Sequence, residues 1–301
     1  MPQAKERAAA LHAVTKRYGA VLAVDNLDLE VRRGEVLAVL GPNGAGKTTS
    51  ISLLLGLLAP DAGRVELFGS APTPAARRRI GAMLQVSYVP PTMRLEELVK
   101  LFGGYYDRPL APGEALAAAG LADVSRRFAG QLSGGQKQRL MFALAICGRP
   151  DLVFLDEPTV GMDVEARRAF WTAIRGLAAE GRTVVLTTHY LEEADALADR
   201  IVVVNRGRVI AEGTPAEIKA RSAGRRIRCV TRLSPAEVSA LPGVTQVRRS
   251  GGFLEVLASR AEPAVLELLK RDPDLTDLEV TGAGLEEAFL ALTETAQKEA
   301  A

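Results

Sequence analysis

The chain has 301 residues, of which 48% are hydrophobic, so it can bury a large core and exceeds the usual length of one domain. We therefore expect one large and one small domain. Its 38 basic and 36 acidic residues leave a net charge of +2, which excludes strong overall attraction to nucleic acid or anionic lipid. The chain has two cysteines, no apolar signal core and no apolar run of roughly 18 residues, so we expect a cytosolic protein that does not itself span a membrane.

The first forty residues predict strands. Apolar and polar residues alternate through LDLEV (27–31), which is typical of a half-buried antiparallel strand. The run EVLAVL (35–40) is almost entirely apolar and predicts a buried parallel strand. Tyr18 precedes that strand, and on its own it is interpreted as a core or surface aromatic more readily than as a platform for a base.

Directly after the buried strand, GPNGAGKT (41–48) satisfies the pattern G-x-x-x-x-G-K-S/T and leads into the helical pattern TTSISLLLGLL (48–58). We expect its glycines to adopt positive φ, so that successive N–H groups point at an anion beside a helix N-terminus. Lys47 would add positive charge for the β and γ phosphates, and the Thr48 hydroxyl would bind Mg²⁺. A Gly-rich turn without a ligand is the alternative, but the context of strand, loop and helix favours ATP or GTP. The residues expected to contact the nucleotide here are Gly41, Pro42, Asn43, Gly44, Ala45, Gly46, Lys47, Thr48 and Thr49.

After this loop the pattern changes from strands to helices. RVELFG (64–69) predicts a strand, and a short helix then leads into an apolar run that ends at Gln85. Pro90 and Pro91 break the chain before further helical periods, so we predict a helical insertion over about residues 86–150. The apolar face of its first helix comprises Leu95, Leu98, Val99 and Phe102.

Two further strands end in residues that carry chemistry. LVFLDE (152–157) ends in Asp156 and Glu157, and TVVLTT (183–188) is followed by His189. A helix is predicted between them over about 164–180. Strands that alternate with helices around a phosphate loop predict a mainly parallel sheet covered on both faces.

Each of these polar residues has a structural and a chemical interpretation. Asp156 could be a structural hydrogen-bond partner, but an acid at a strand end beside a phosphate loop favours Mg²⁺ binding, directly or through water. Glu157 cannot duplicate that position because the strand is ending, and it is free to orient or deprotonate water. His189 could bond a phosphate oxygen, although an isolated histidine is more often structural.

From about residue 222 the sequence predicts strand, helix, two strands, helix and strand. This βαββαβ order is typical of a small ferredoxin-like α+β domain, here followed by a terminal helix, GLEEAFLALTETAQ. We therefore predict two domains, over residues 8–220 and 222–301.

The segment LSGGQ (132–136) lies between the phosphate loop and the strand that ends in Asp156. Ser133 can cap a helix, while Gly134 and Gly135 leave their N–H groups accessible. With GPNGAGKT, Gln85, LVFLDE, GMD (161–163) and His189 in this order, residues 8–220 resemble the ATP-binding cassette (ABC) family, the nucleotide-binding subunits of ABC transporters. The resemblance implies a P-loop ATPase fold with a helical subdomain.

The resemblance also assigns roles to individual residues. It implies that Tyr18 stacks on adenine, which reverses the interpretation from position alone. It implies that Gln85 contacts Mg²⁺ or the attacking water, that Glu157 is the catalytic base, and that Lys47 and His189 take part in catalysis. In the family, a second chain covers the nucleotide with the residues that correspond to Ser133, Gly134, Gly135, Gln136 and Asp163.

The family further implies partners. Two subunits, here predicted as a homodimer, would sandwich two ATP molecules, each with Mg²⁺, on the cytoplasmic face of the cell membrane. The terminal GLEEAFLALT and the small domain resemble the bacterial branch that exports drugs, lipids or polymers through separately encoded permease subunits. A soluble ABC ATPase with a regulatory or ribosome-associated role is the alternative, and near-neutral charge leads us to expect no nucleic-acid partner.

Overall fold

A computed structural model describes residues 6–85, 88–221, 224–282 and 284–298. The chain forms two compact units that divide between Thr214 and Pro215. This division lies a few residues before the predicted end of the first domain at residue 220. The predicted starts of the helical insertion at 86 and of the second domain at 222 lie outside the described residues.

The first unit begins with strands and contains the phosphate loop. Its elements are β1 (Arg7–Tyr18), β2 (Val21–Arg32), β3 (Val36–Leu40), α1 (Lys47–Leu54), β4 (Ala62–Leu67), α2 (Pro74–Arg77), β5 (Ile80–Met83), α3 (Leu95–Gly103), α4 (Pro112–Ala118), α5 (Gly134–Ile146), β6 (Leu152–Asp156), α6 (Val164–Ala179), β7 (Thr183–Thr187), α7 (Leu191–Leu197), β8 (Arg200–Asn205) and β9 (Arg208–Gly213).

A six-stranded sheet in the order β5-β6-β7-β3-β8-β9 forms the centre of this unit. The first five strands pair in parallel, and β9 returns antiparallel at one edge. Every residue of β3, β6, β7 and β8 is buried, as expected for strands covered on both faces. The predicted mainly parallel sheet is therefore confirmed.

A second, antiparallel sheet in the order β2-β1-β4 completes the first unit. Leu11 and Leu27 of this sheet share a core with Phe154 of the parallel sheet and with Ile51 and Leu54 of α1. Apolar contacts from both sheets therefore fix α1, whose first turn carries Lys47.

Helices α3, α4 and α5 pack on one another and form the helical part of the unit. Leu95, Leu98 and Val99 of α3 are buried, as predicted. Phe102 was also predicted on this buried face, but its side chain is 36% exposed, because it lines an open cleft rather than the core.

The second unit is α+β. Its elements are α8 (Pro215–Ala220), β10 (Arg225–Val230), α9 (Pro235–Ser239), β11 (Val244–Ser250), β12 (Phe253–Ala258), α10 (Ala261–Arg271), β13 (Thr276–Gly282) and α11 (Leu285–Lys298). Helix α8 belongs here because it packs against α11. The strands form an antiparallel sheet in the order β11-β12-β10-β13.

One face of this sheet carries its own core. Ile227, Leu254 and Val256 from the sheet pack with Val238 of α9 and Leu268 of α10. The βαββαβ element order agrees with the sequence pattern, and the assignment of the unit as ferredoxin-like stays a prediction. None of the helices in the described part of the chain is both long and apolar enough to cross a membrane.

A buried ion pair joins Arg200, the first residue of β8, to Glu35, which directly precedes β3. Arg200 approaches Glu35 through two contacts, Nη2 to Oε1 at 2.6 Å and Nε to Oε2 at 3.1 Å. The side chains are only 7% and 5% exposed. Such a pair is costly to break, because the remaining partner keeps a buried charge without compensation.

Replacing Arg200 with Leu should therefore lower the free energy of unfolding of the first unit by about 3–5 kcal/mol. Urea unfolding followed by the fluorescence of Trp171, the single tryptophan, would measure this. Arg208→Leu is the matched control, since Arg208 pairs with Asp25 but is 69% exposed, and it should cost less than about 1 kcal/mol. Equal losses in the two variants would contradict the expectation.

Candidate active site

The phosphate loop connects β3 to α1 and has the backbone conformation that the sequence predicted at two of its three glycines. Gly44 has φ +79° and Gly46 has φ +103°. Gly41 was also expected at positive φ, and this is wrong. A Cβ atom at Gly41 would lie 2.3 Å from the carbonyl oxygen of Val204, so close backbone approach requires glycine there.

Lys47 lies buried at the start of α1. Its Nζ donates to the carbonyl oxygens of Gly41 at 2.7 Å and Pro42 at 3.2 Å, so the ammonium group folds back over the loop. Burial lowers the pKa of Lys47 below its ordinary value, while the nearby carboxylates of Glu157 and Asp156 act in the opposite direction. The carboxylates thus favour the charged form that an anionic ligand needs.

Asp156 ends β6 beside the first turn of α1 and is buried. Its Oδ2 accepts a hydrogen bond from Thr48 Oγ1 at 3.2 Å, and its Oδ1 accepts one from Thr187 Oγ1. A carboxylate and a hydroxyl next to a phosphate loop are hard oxygen ligands that suit Mg²⁺. No group of three or more His, Cys, Asp or Glu side chains that could hold a metal occurs among the described residues.

Glu157 leaves the strand in the left-handed region, with φ +51°. Its N–H lies 3.1 Å from both the carbonyl oxygen and the Oγ1 of Thr187. Its Oε2 lies 2.6 Å from Nδ1 of His189 and accepts the His189 N–H at 3.3 Å. This backbone turn separates the Glu157 side chain from the Asp156 position, as the sequence indicated, and pairs it with the histidine.

Gln85 lies at the same edge of the sheet. It follows β5, which pairs in parallel with β6 through Met83 and Leu155. Its side chain is exposed and lines a cavity of about 370 Å³ together with Gly134 and Lys137 of α5. In the described part of the chain, the hydrogen-bond partners of the Asp156 and Glu157 carboxylates do not include Gln85.

The LSGGQ segment caps α5. Ser133 Oγ accepts from the Gln136 N–H at 3.3 Å, and Gln136 Oε1 accepts from the Ser133 N–H at 3.1 Å, which is a capping box. A Cβ atom at Gly134 would meet nothing within 4 Å, and at Gly135 only Met162 Cγ at 3.8 Å. Packing within the chain therefore does not explain why both positions are glycine.

The remaining predicted contacts lie at element ends. Tyr18 is the last residue of β1 and is exposed. Asp163 is the N-cap of α6, where its Oδ1 accepts the Ala166 N–H at 2.7 Å. The sequence predicts a role of Asp163 at the nucleotide site across a dimer, and the helix cap is an additional role that the structure gives it.

Two buried polar groups around the site were not predicted from the sequence. Thr187 contacts both Asp156 and Glu157. Glu193 of α7 is fully buried and accepts from Trp171 Nε1 at 3.1 Å, and burial raises the pKa of its carboxyl. For Thr187, the signal in the sequence was a polar residue at the end of the apolar run TVVLT.

Comparison with known proteins identifies the family. The ABC transporter family model matches residues 24–160. A daunorubicin resistance ATP-binding protein of Streptomyces coeruleorubidus is 42% identical over 294 residues, which cover 92% of this chain and 93% of that protein. Nod factor export ATP-binding protein I of Burkholderia orbicola is 39% identical over 293 residues, with 93% and 95% covered.

Solved structures agree with these matches. The ATP-binding subunit of an ABC transporter is 29% identical with a TM-score of 0.64, over 70% of this chain and 92% of that one. The dimeric post-hydrolysis state of an ATP-binding cassette, bound to ADP and Pi, is 27% identical with a TM-score of 0.62, over 68% and 98%. The chain therefore belongs to the ATP-binding subunits of ABC transporters and is an ATPase of the cassette type.

Proposed function

We propose that this subunit hydrolyses ATP on the cytoplasmic face of the cell membrane and thereby drives export through separately encoded permease subunits. The observation that carries the proposal is the 2.6 Å contact between Glu157 Oε2 and His189 Nδ1, next to Asp156 and Lys47. The names of the two relatives, which refer to drug resistance and Nod factor export, support export over import.

The phosphate loop receives the β and γ phosphates. Its backbone N–H groups and the N-terminus of α1 favour an anion, and Lys47 exchanges the carbonyl oxygens of Gly41 and Pro42 for phosphate oxygens. Thr48 and Asp156 would hold Mg²⁺, which would neutralise charge on the phosphates, and Gln85 at the neighbouring strand end would contact the ion or the attacking water. Tyr18 stacks on the adenine.

Glu157 then acts as the base. Its carboxylate orients and deprotonates the attacking water, and His189 holds that carboxylate through Nδ1. Both residues follow strands of one rigid sheet, so the geometry is set before ATP arrives.

A second subunit completes each site. Ser133 to Gln136 of one chain approach the γ-phosphate held by the other, and Asp163 communicates between the two sites. The open space around Gly134 supports this arrangement, because an approaching phosphate would occupy it. The dimeric form of the solved relative is consistent with it.

Replacing Glu157 with Gln should abolish turnover while ATP binding remains intact, because only the proton acceptor is lost. ATP should then trap a closed dimer, which size-exclusion chromatography with and without ATP would detect. Wild-type turnover in this variant would refute the assignment of the base.

The variant Lys47→Ala provides the contrast. It removes the charge that binds the phosphates, so ATP affinity itself should fall, and no ATP-dependent dimer should form. A fluorescent ATP analogue would measure the affinity. Unchanged affinity would contradict the proposed role of Lys47.

We further propose that permease subunits dock in an apolar cleft of about 280 Å³ between α1, β5, α3 and α5. Ile80, Phe102 and Leu144 line it, and Leu57 at its rim is 58% exposed. The cleft exposes apolar surface next to Gln85. It can therefore accommodate an apolar segment of a membrane partner.

Replacing Phe102 with Asp should leave the ATPase rate of the isolated subunit within about twofold of wild type but prevent co-purification with the permease from membranes, because a buried charge would oppose docking. Leu266→Asp, at an exposed leucine of the second unit, is the control and should co-purify normally. Normal co-purification of the Phe102 variant would exclude the cleft.

A further inference from the structure

The hydroxyl of Thr187 lies between the two acids of the site. Thr187 ends β7, is fully buried and pairs in register with Asp156 at the end of β6. Its Oγ1 donates to Asp156 Oδ1 and lies 3.1 Å from the Glu157 nitrogen, whose N–H it accepts. One hydroxyl thus contacts the proposed metal ligand and the backbone of the proposed base.

The surroundings of Thr187 do not themselves require a polar residue. The residues before it in β7 are Val184, Val185 and Leu186, all fully buried, so a valine of the same shape suits this strand. A buried hydroxyl is favourable only where it has partners. Here those partners are groups of the active site.

Two consequences follow for the acids. The Asp156 carboxylate can rotate about a broad terminal torsion, and the bond from Thr187 to Oδ1 fixes it with Oδ2 towards Thr48. Glu157 has φ +51°, which bulky residues rarely adopt, and its N–H is held by the hydroxyl and the carbonyl oxygen of Thr187. Without the hydroxyl, the Asp156 carboxylate and the Glu157 backbone each lose one constraint.

We propose that Thr187 is a positioning residue for ATP hydrolysis: its hydroxyl orients the Asp156 carboxylate for Mg²⁺ and the Glu157 backbone for water activation. The inference rests on the proposed roles of Asp156 and Glu157. It adds a residue that touches neither nucleotide nor metal and acts through both acids.

The test compares Thr187→Val, which keeps the shape and removes the hydroxyl, with Thr187→Ser, which keeps the hydroxyl. For Thr187→Val we expect kcat to fall about tenfold or more, as loss of a hydrogen bond to a charged group predicts. Affinity for a fluorescent ATP analogue in EDTA should be unchanged, and the Mg²⁺ concentration that enhances binding half-maximally should rise. Thr187→Ser should restore both values to within about threefold of wild type.

Several results would overturn the proposal. It fails if Thr187→Val keeps kcat within twofold and an unchanged Mg²⁺ dependence of nucleotide binding, or if Thr187→Ser is as impaired as Thr187→Val. Thermal unfolding establishes that each variant is folded. If Thr187→Val does not fold, Thr187→Cys replaces it, and wild-type kcat and Mg²⁺ dependence in that variant would likewise overturn the proposal. Normal turnover of Glu157→Gln would instead contradict the proposed function, so the two failures are distinguishable.

Discussion

The parallel pairing of β3, β6 and β7 is the constraint on which the site depends. The three strands run in the same direction. The phosphate loop, the two acids and His189 therefore all lie at the carboxyl-terminal ends of these strands. The register places Asp156 beside Thr187, and a shift of one residue would turn each side chain to the opposite face. The buried residues of both sheets hold that register, so the apolar core and the catalytic geometry have the same origin.

Charge balance in the buried site follows from this arrangement. Burial lowers the pKa of Lys47, while Asp156 and Glu157 stabilise its charge and the carbonyl oxygens of the loop accept hydrogen bonds from it. The cation is therefore already in place before a phosphate binds. In the proposed mechanism, phosphate binding exchanges hydrogen-bond acceptors and requires little rearrangement, which is the physical advantage of a preorganised electrostatic site.

Packing within the chain does not explain two further features of its surface. A side chain at Gly134 would meet open space, and the cleft beside Phe102 exposes apolar surface. The nucleotide loop is thus interpreted as one part of a working site that a second subunit completes, and the cleft as the link to the membrane partner. The second unit has a hydrophobic core of its own.

The sequence by itself determined the local chemistry and most elements: the phosphate loop, the strand ends at Asp156 and His189, the buried parallel strands and the helix cap at Ser133. These features depend on short-range sequence patterns, which can be identified without knowledge of the tertiary structure. Only the tertiary structure decided why Gly41 is glycine, that Arg200 pairs with Glu35, that Phe102 stays exposed and that Thr187 holds both acids. Each of these features depends on residues that are distant in the sequence, so a local pattern does not indicate which partner a side chain will contact.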